Sequence, residues 1–276
     1  EHRMGHALRQ RPRDDYILST KVGWMLRAAD PASVDAGIFK RTLPFARETD
    51  YSYDAVMRSF EDSLQRLGMH RIDLLLIHDV DIWTHGSRAA WQQRLREVAD
   101  GAYKAVARLR DEGVVRAIGA GVNESEACMA LTEIGDFDAF LLAGRYTLLE
   151  QDALDDLLPR CAERGIGIVI GGPYNTGILA TGAIEGAYYN YQLAPPEILN
   201  RVSAIEAVCA RHGVTLASAA LQFPLAHPVV ASVIPGAVSA DEVERNVATI
   251  DAPIPAELWA ELKAEGLLRA DAPTPG

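Results

Sequence analysis

A chain of 276 residues, 49% hydrophobic and 24% charged, carries enough apolar material for one large domain or two small ones. Its net charge of −11, from 27 basic and 38 acidic residues, argues against a broad nucleic-acid surface, because such affinity rests on cationic neutralisation of phosphates. No stretch approaches the roughly 18 apolar residues of a membrane span, and no basic region followed by an apolar segment opens the sequence, so the expectation is a cytoplasmic protein without membrane partners.

In chain order, an opening helix over about 1–10 precedes a strand over 16–22 and an irregular polar segment from Trp24 to Asp50. A helix over 52–67, a strand over 72–77, a helix over 88–112 and a strand over 115–120 follow. Next come a helix over 124–134, a strand over 138–143, a helix over 150–164 and a strand over 166–171. After a loop to about 195 the pattern predicts helices over 196–212 and 215–226, a strand over 229–234, and helices over 239–248 and 255–268.

Local signals support these elements. Ser52 is placed to cap a helix whose Val56, Phe60, Leu64 and Leu67 recur at helical spacing, and Gly68 stands where a C-terminal glycine is expected. Gly113 and Gly165 repeat that pattern before their strands. Cys128, Cys161 and Cys209 are odd in number, widely spaced and set in helical segments, which suggests reduced packing residues and no metal site.

Strands that alternate with helices imply right-handed crossovers and parallel pairing. No Gly-x-Gly-x-x-Gly lies between a strand and a helix and no Walker-type Gly-Lys-Ser/Thr exists, so a (β/α)8 barrel is favoured over a doubly wound sheet. In such a barrel the C-terminal ends of strands line the active face. Lys21 ends Tyr16-Ile-Leu-Ser-Thr-Lys21, and His78 ends Ile72-Asp-Leu-Leu-Leu-Ile-His78-Asp79.

Each residue has an ordinary alternative: a strand-end lysine reaching solvent, or a hydrogen-bonded rim histidine. Their shared position argues for chemistry instead. Asn123 either caps the following helix, with Glu126 completing the box, or presents its amide to the barrel mouth. Val233-Ile-Pro235-Gly236-Ala-Val-Ser239-Ala-Asp-Glu242 runs from a strand into a helix whose first N–H groups suit a phosphate, or it is a plain turn.

Lys21, His78, the Asn123 turn and the Ile-Pro-Gly turn, in that order, resemble the aldo-keto reductases over nearly the whole chain, which is then a single barrel domain over 1–276. The segments 50–68, Ile77-His-Asp-Val-Asp81 and Gly171-Gly-Pro-Tyr174-Asn-Thr-Gly177-Ile-Leu179 are similar to the D-threo-aldose (L-fucose) 1-dehydrogenase and pyridoxal 4-dehydrogenase branch. The resemblance implies hydride transfer between a nicotinamide cofactor and C1 of an aldose, or another aldehyde or alcohol carbon. It gives Lys21 the role of lowering a tyrosine pKa and His78 that of orienting the substrate oxygen.

The family's tyrosine and aspartate have no counterpart here, and Glu1-His-Arg-Met-Gly5 is similar to the continuation of the helix that follows them. The resemblance therefore implies that two strands, one helix and half of the catalytic tetrad are missing ahead of Glu1, this barrel being incomplete without them. Val122 stands where a serine usually precedes the amide-binding asparagine, and Gly171 where many members stack an aromatic ring, leaving Tyr174 as the substitute. Gly177, Pro235, Gly236, Ser239 and Asn246 are the remaining cofactor-binding expectations, with Asn246 at the adenine.

Where members that prefer NADP carry basic residues, this chain has Val238 and Glu242, and a carboxylate there would repel a 2′-phosphate. NAD is accordingly expected over NADP, with a small sugar or aldehyde as substrate. Trp24, Trp83 and His85 are suited to a sugar face or to loop packing. Two competing readings are a cofactor-binding module without catalysis and a metal-dependent hydrolase using His78, Asp79, Asp81 and His85.

Overall fold

Short apolar runs without polar alternation need cover on both faces, and helices placed between the strands supply it. The computed structural model describes residues 1–34 and 42–276, which divide into two compact units: residues 1–122 with 130–138, and residues 123–129 with 139–276.

The first unit opens with helix α1 (His2–Leu8), strand β1 (Ser19–Val22) and a ribbon of β2 (Trp24–Ala28) paired antiparallel to β3 (Phe45–Thr49). The ribbon replaces the irregular segment expected over 24–50, part of which lies outside the described residues. Its strands are half-buried or exposed at every position except Met25, so no burial periodicity marks them in the sequence. Helix α2 (Tyr53–Leu67) follows with the expected boundaries: Ser52 Oγ accepts from the Ala55 N–H at 3.4 Å, and Gly68 ends it at φ 64°.

Strand β4 (Leu74–His78) pairs parallel with β1 and with β5 (Ala117–Val122). Between them lie α3 (Ile82–His85), α4 (Arg88–Glu97) and α5 (Tyr103–Asp111). The single helix expected over 88–112 is broken by a π-turn at Val98–Ala102. The turn presses Gly101 onto the backbone before α2, where a Cβ would stand 2.5 Å from the Tyr51 carbonyl oxygen. Val56 and Phe60 of α2, Leu75 and Ile77 of β4, Val106 of α5 and Ile118 of β5 are at most 2% exposed and form this unit's core.

Helix α6 (Ser125–Thr132) crosses the boundary between the units. The second unit continues with β6 (Ala139–Ala143), α7 (Leu157–Arg164), β7 (Gly167–Gly171), α8 (Ile178–Thr181) and the two-residue strands β8 (Tyr188–Tyr189) and β9 (Gln192–Leu193). It ends with α9 (Pro196–Arg211), α10 (Leu216–Leu225), β10 (Val230–Ile234), α11 (Ala240–Ile250) and α12 (Ala256–Ala264). Its parallel strands run in the order β6-β7-β10. Tyr146 packs on Phe223 at 5.2 Å between ring centroids and Phe223 on Trp259 at 6.3 Å, an aromatic row behind that sheet.

The start of β1 is tied to β4 by a buried carboxylate. Asp73, 3% exposed, accepts from the Leu18 N–H at 2.8 Å and pairs with Arg13 at 2.5 Å and Arg71 at 3.1 Å. Burial alone would raise its pKa, but the Leu18 N–H and Arg13 outweigh it and hold the carboxyl below 3.8. The stability Asp73 contributes is complete above the ordinary carboxylate range and is lost as pH falls through its lowered value. Asp73→Ala leaves the largely buried Arg13 without its carboxylate and the Leu18 N–H without its acceptor, so chemical denaturation at neutral pH should show a loss of about 3 kcal/mol. A loss below about 1 kcal/mol would remove Asp73 as the tie between these strands.

Candidate active site

In a parallel pair, directly opposed residues face the same side of the sheet. Lys21 of β1 is opposed to Leu76 of β4, and His78, two residues beyond Leu76, is opposed to Gly121 of β5. Lys21, His78 and Gly121 therefore share one face. A Cβ at Gly121 would lie 2.9 Å from Lys21 Cε and 3.5 Å from its Nζ, so the lysine stem lies across the space that glycine leaves open.

Burial lowers the Lys21 pKa from 10.5, and the charge of Asp79 opposes that fall. His78 is pushed down to about 3, first by burial and then by the charges of Lys21 and Arg47. Its imidazole is neutral at working pH. Asp79 Oδ2 lies 3.4 Å from His78 Nε2, which makes the contact one between a carboxylate and a neutral ring.

Trp24 stacks on the His78 ring, with centroids 4.2 Å apart and planes 21° apart, and the Arg47 guanidinium lies 4.9 Å from the Trp24 centroid. The indole considered for a sugar face thus already holds the histidine. Trp83 is 58% exposed on α3, and His85 lies against Tyr51 at 3.3 Å, so the structure does not gather these three residues into one platform. A cavity of about 370 Å³ is bounded by Trp24, Leu26, Leu43, Phe45, Arg47 and His78.

Tyr51 is 1% exposed and donates its hydroxyl to the His78 carbonyl at 2.7 Å. Burial, with the charges of Asp79 and Asp81, moves its pKa upward from 10.0, so it serves as a buttress and not as an acid. Sequence reasoning missed Tyr51, Arg47 and the contact to Asp79. Only the aspartate carried a signal, its place directly after the strand-end histidine.

The second unit holds the remaining site residues. Asn123 lies in the turn after β5, where its carbonyl accepts from Arg145 Nε at 2.9 Å. Tyr174, 7% exposed, donates its hydroxyl to Asn246 Oδ1 of α11 at 2.9 Å, and Gly177, just before α8, donates its N–H to the Tyr174 carbonyl at 3.0 Å. Pro235 and Asn246 border a cavity of about 230 Å³ whose other walls include Leu221, Val233, Val243 and Val247.

Ser239 caps α11 by accepting from the Glu242 N–H at 3.3 Å, and the Glu242 carboxylate turns back to accept from the Val238 N–H at 2.8 Å. A carboxylate thus sits over the turn after Gly236. Among the described residues no group of three or more His, Cys, Asp and Glu side chains is placed to hold a metal ion. None of the described helices is long and apolar enough to cross a membrane.

The aldo/keto reductase family model matches residues 1–265. The chain is 39% identical over 280 residues to a pyridoxal 4-dehydrogenase of Microbacterium luteolum, covering 97% of this chain and 80% of that protein. It is 37% identical to a D-threo-aldose 1-dehydrogenase of a Pseudomonas species, covering 100% and 81%. Among solved structures, an aldo-keto reductase of Bacillus halodurans in its holo form matches with a TM-score of 0.70 at 26% identity, covering 98% of this chain and 78% of that one.

The neutral state of His78 has a direct check. In a proton NMR titration of the histidine ring signals, His78 should stay unprotonated down to about pH 4, with its transition centred at about 3. Trp24→Ala opens the ring to water and should move the transition upward toward 6.5. A wild-type transition near 6.5 would contradict the burial argument.

Proposed function

The chain belongs to the aldo/keto reductase family, and from that premise we propose that it oxidises C1 of an aldose, or a kindred aldehyde or alcohol carbon, with NAD preferred. Membership makes it an NAD(P)-dependent oxidoreductase of the (β/α)8 barrel class that moves hydride between a nicotinamide and an aldehyde or alcohol carbon. The names of its relatives, one a pyridoxal and one an aldose dehydrogenase, support a small ring-forming aldehyde as substrate class.

The observation that carries the proposal is the shared face of Lys21 and His78 at the ends of adjacent parallel strands. His78 enters the reaction neutral and donates a hydrogen bond to the substrate oxygen. Lys21 supplies a buried positive charge that favours the oxygen with developing negative charge. Both act on the oxygen of the reacting carbon, whose hydroxyl proton leaves to solvent as that carbon gives up hydride in the oxidation and is taken back from solvent in the reverse reduction.

The second unit fits a dinucleotide. Apolar walls with the Asn246 amide at the 230 Å³ cavity suit a flat purine, the Tyr174 hydroxyl holds that amide by its oxygen, and the turn of Pro235, Gly236 and Ser239 leads into the first turn of α11. Asn123 is assigned the carboxamide and Gly177 the close approach of the β7 loop to the cofactor. When bound, the nicotinamide supplies the hydride acceptor or donor. Glu242, folded over the Val238 N–H, puts negative charge where a 2′-phosphate would bring more.

Steady-state oxidation of a panel of aldoses and of pyridoxal, followed at the nicotinamide absorbance, tests the reading. Lys21→Met should lower kcat by about 10²-fold or more. The wild type should lose rate as pH rises through a Lys21 pKa below 10.5, since the lysine acts as a cation. No turnover of any aldehyde or alcohol by the wild type would refute the proposal.

For the cofactor, kcat/KM with NAD should exceed that with NADP by about tenfold or more, and Glu242→Lys should narrow the gap. Equal values in the wild type would refute the preference.

A further inference from the structure

Asp79 adopts φ 47°, the left-handed region that a non-glycine residue enters rarely and that clusters at functional sites. The conformation is held from several directions. The Asp79 N–H donates to the Gly121 carbonyl at 2.8 Å. Three successive carbonyls around it each meet a side chain: His78 O accepts from the Tyr51 hydroxyl at 2.7 Å, the Asp79 backbone is bonded by His85, and Val80 O accepts from Trp91 Nε1 at 2.9 Å. Asp81 then closes the turn by accepting from the Thr84 N–H at 2.8 Å.

So much support around one strained residue needs a reason, and the carboxylate supplies it. Its Oδ2 lies 3.4 Å from Nε2 of His78, and its field reaches the buried Lys21. A neutral imidazole carries one proton on either nitrogen, and a carboxylate beside Nε2 favours the form protonated there.

We propose that Asp79 is a positioning residue of the hydride-transfer site: its left-handed backbone aims a carboxylate at His78 Nε2, which sets the tautomer that donates to the substrate oxygen. The substrate oxygen then takes over a donor that the free enzyme holds only loosely, because 3.4 Å is long for a hydrogen bond. The proposal rests on the reading of Lys21 and His78 given above.

The groups facing this carboxylate fix the sign of the pH effect. They include His78 at the end of β4, Lys21 on β1 and Tyr51 before α2; around them Asp81 acts on His78, Tyr51 and His85, Arg47 of β3 on His78, and Arg94 and Glu97 of α4 on Tyr51 and His85. Burial lowers the Lys21 pKa and Asp79 raises it. Removing the carboxylate therefore moves the alkaline limb to lower pH.

Asp79→Asn keeps the shape and tolerates the left-handed backbone while removing the charge. The expected result is a fall in kcat of about fivefold to twentyfold with the KM for NAD unchanged, and an alkaline limb moved down by about one pH unit. In two-bond proton–nitrogen NMR spectra of the free protein, His78 should change from the Nε2-protonated form to a mixture. Asp79→Gly removes the strain as well and should reproduce the loss of kcat with a melting temperature within about 2 °C of the wild type.

An unchanged tautomer and pH profile in Asp79→Asn would overturn the proposal. So would activity lost only in proportion to folded protein in both variants, which marks a purely structural residue. The NMR measurement reads the free protein, so a wild type without turnover would refute the hydride-transfer reading while the tautomer result still judged the carboxylate.

Discussion

The register between β1 and β4 governs everything else at this site. Lys21 meets Leu76, and a slip of one residue would turn the lysine to the opposite face of the sheet from His78. Apolar side chains alone specify such a register weakly, since Leu74, Leu75, Leu76 and Ile77 are similar in kind. The discriminating contact is Asp73. Its carboxylate accepts the Leu18 N–H while its own N–H and that of Leu74 donate to the Leu18 carbonyl at 2.8 and 3.1 Å, so the first rung of the ladder is fixed by groups that have no alternative partner one step along.

With the register set, the electrostatics follow from burial. A lysine and a histidine brought onto one partly buried face cannot both be cations at modest cost, and the histidine yields because it is the weaker base. Burial, with the charges of Lys21 and Arg47, keeps His78 neutral, while Asp79 offsets part of the burial cost of Lys21. One charged donor and one neutral donor result. That division would suit the oxygen of the proposed reaction, whose negative charge is greatest between alcohol and carbonyl.

Much of this was legible in the sequence. The strand-end positions of Lys21 and His78, the cap at Ser52 and the Pro235-Gly236 turn follow from local pattern, because each depends on a run of apolar residues and the polar residue that ends it. The β2–β3 ribbon was not legible, since Trp24 and Phe45 begin strands that face solvent along most of their length. Nor were the stack of Trp24 on His78 and the Tyr51 buttress, which join residues 54 and 27 positions apart through tertiary packing alone. A left-handed Asp79 has no sequence signature at all, because aspartate enters that region without requiring it.

Two acidic residues, one in each unit, illustrate how differently a fold can hold charge. Glu242 lies in the first turn of α11, where the helix dipole and the Val238 N–H both favour a carboxylate, so the negative charge proposed to select NAD also stabilises its own helix. Asp79 is opposed by its backbone and persists only because Tyr51, His85, Trp91 and Gly121 fix the peptide groups around it. Local physics would retain an acid at position 242 whatever the cofactor, whereas at position 79 aspartate merely tolerates φ 47° and the surrounding contacts select it. The strained carboxylate is therefore the stronger sign of selection for chemistry, and the unstrained one the weaker.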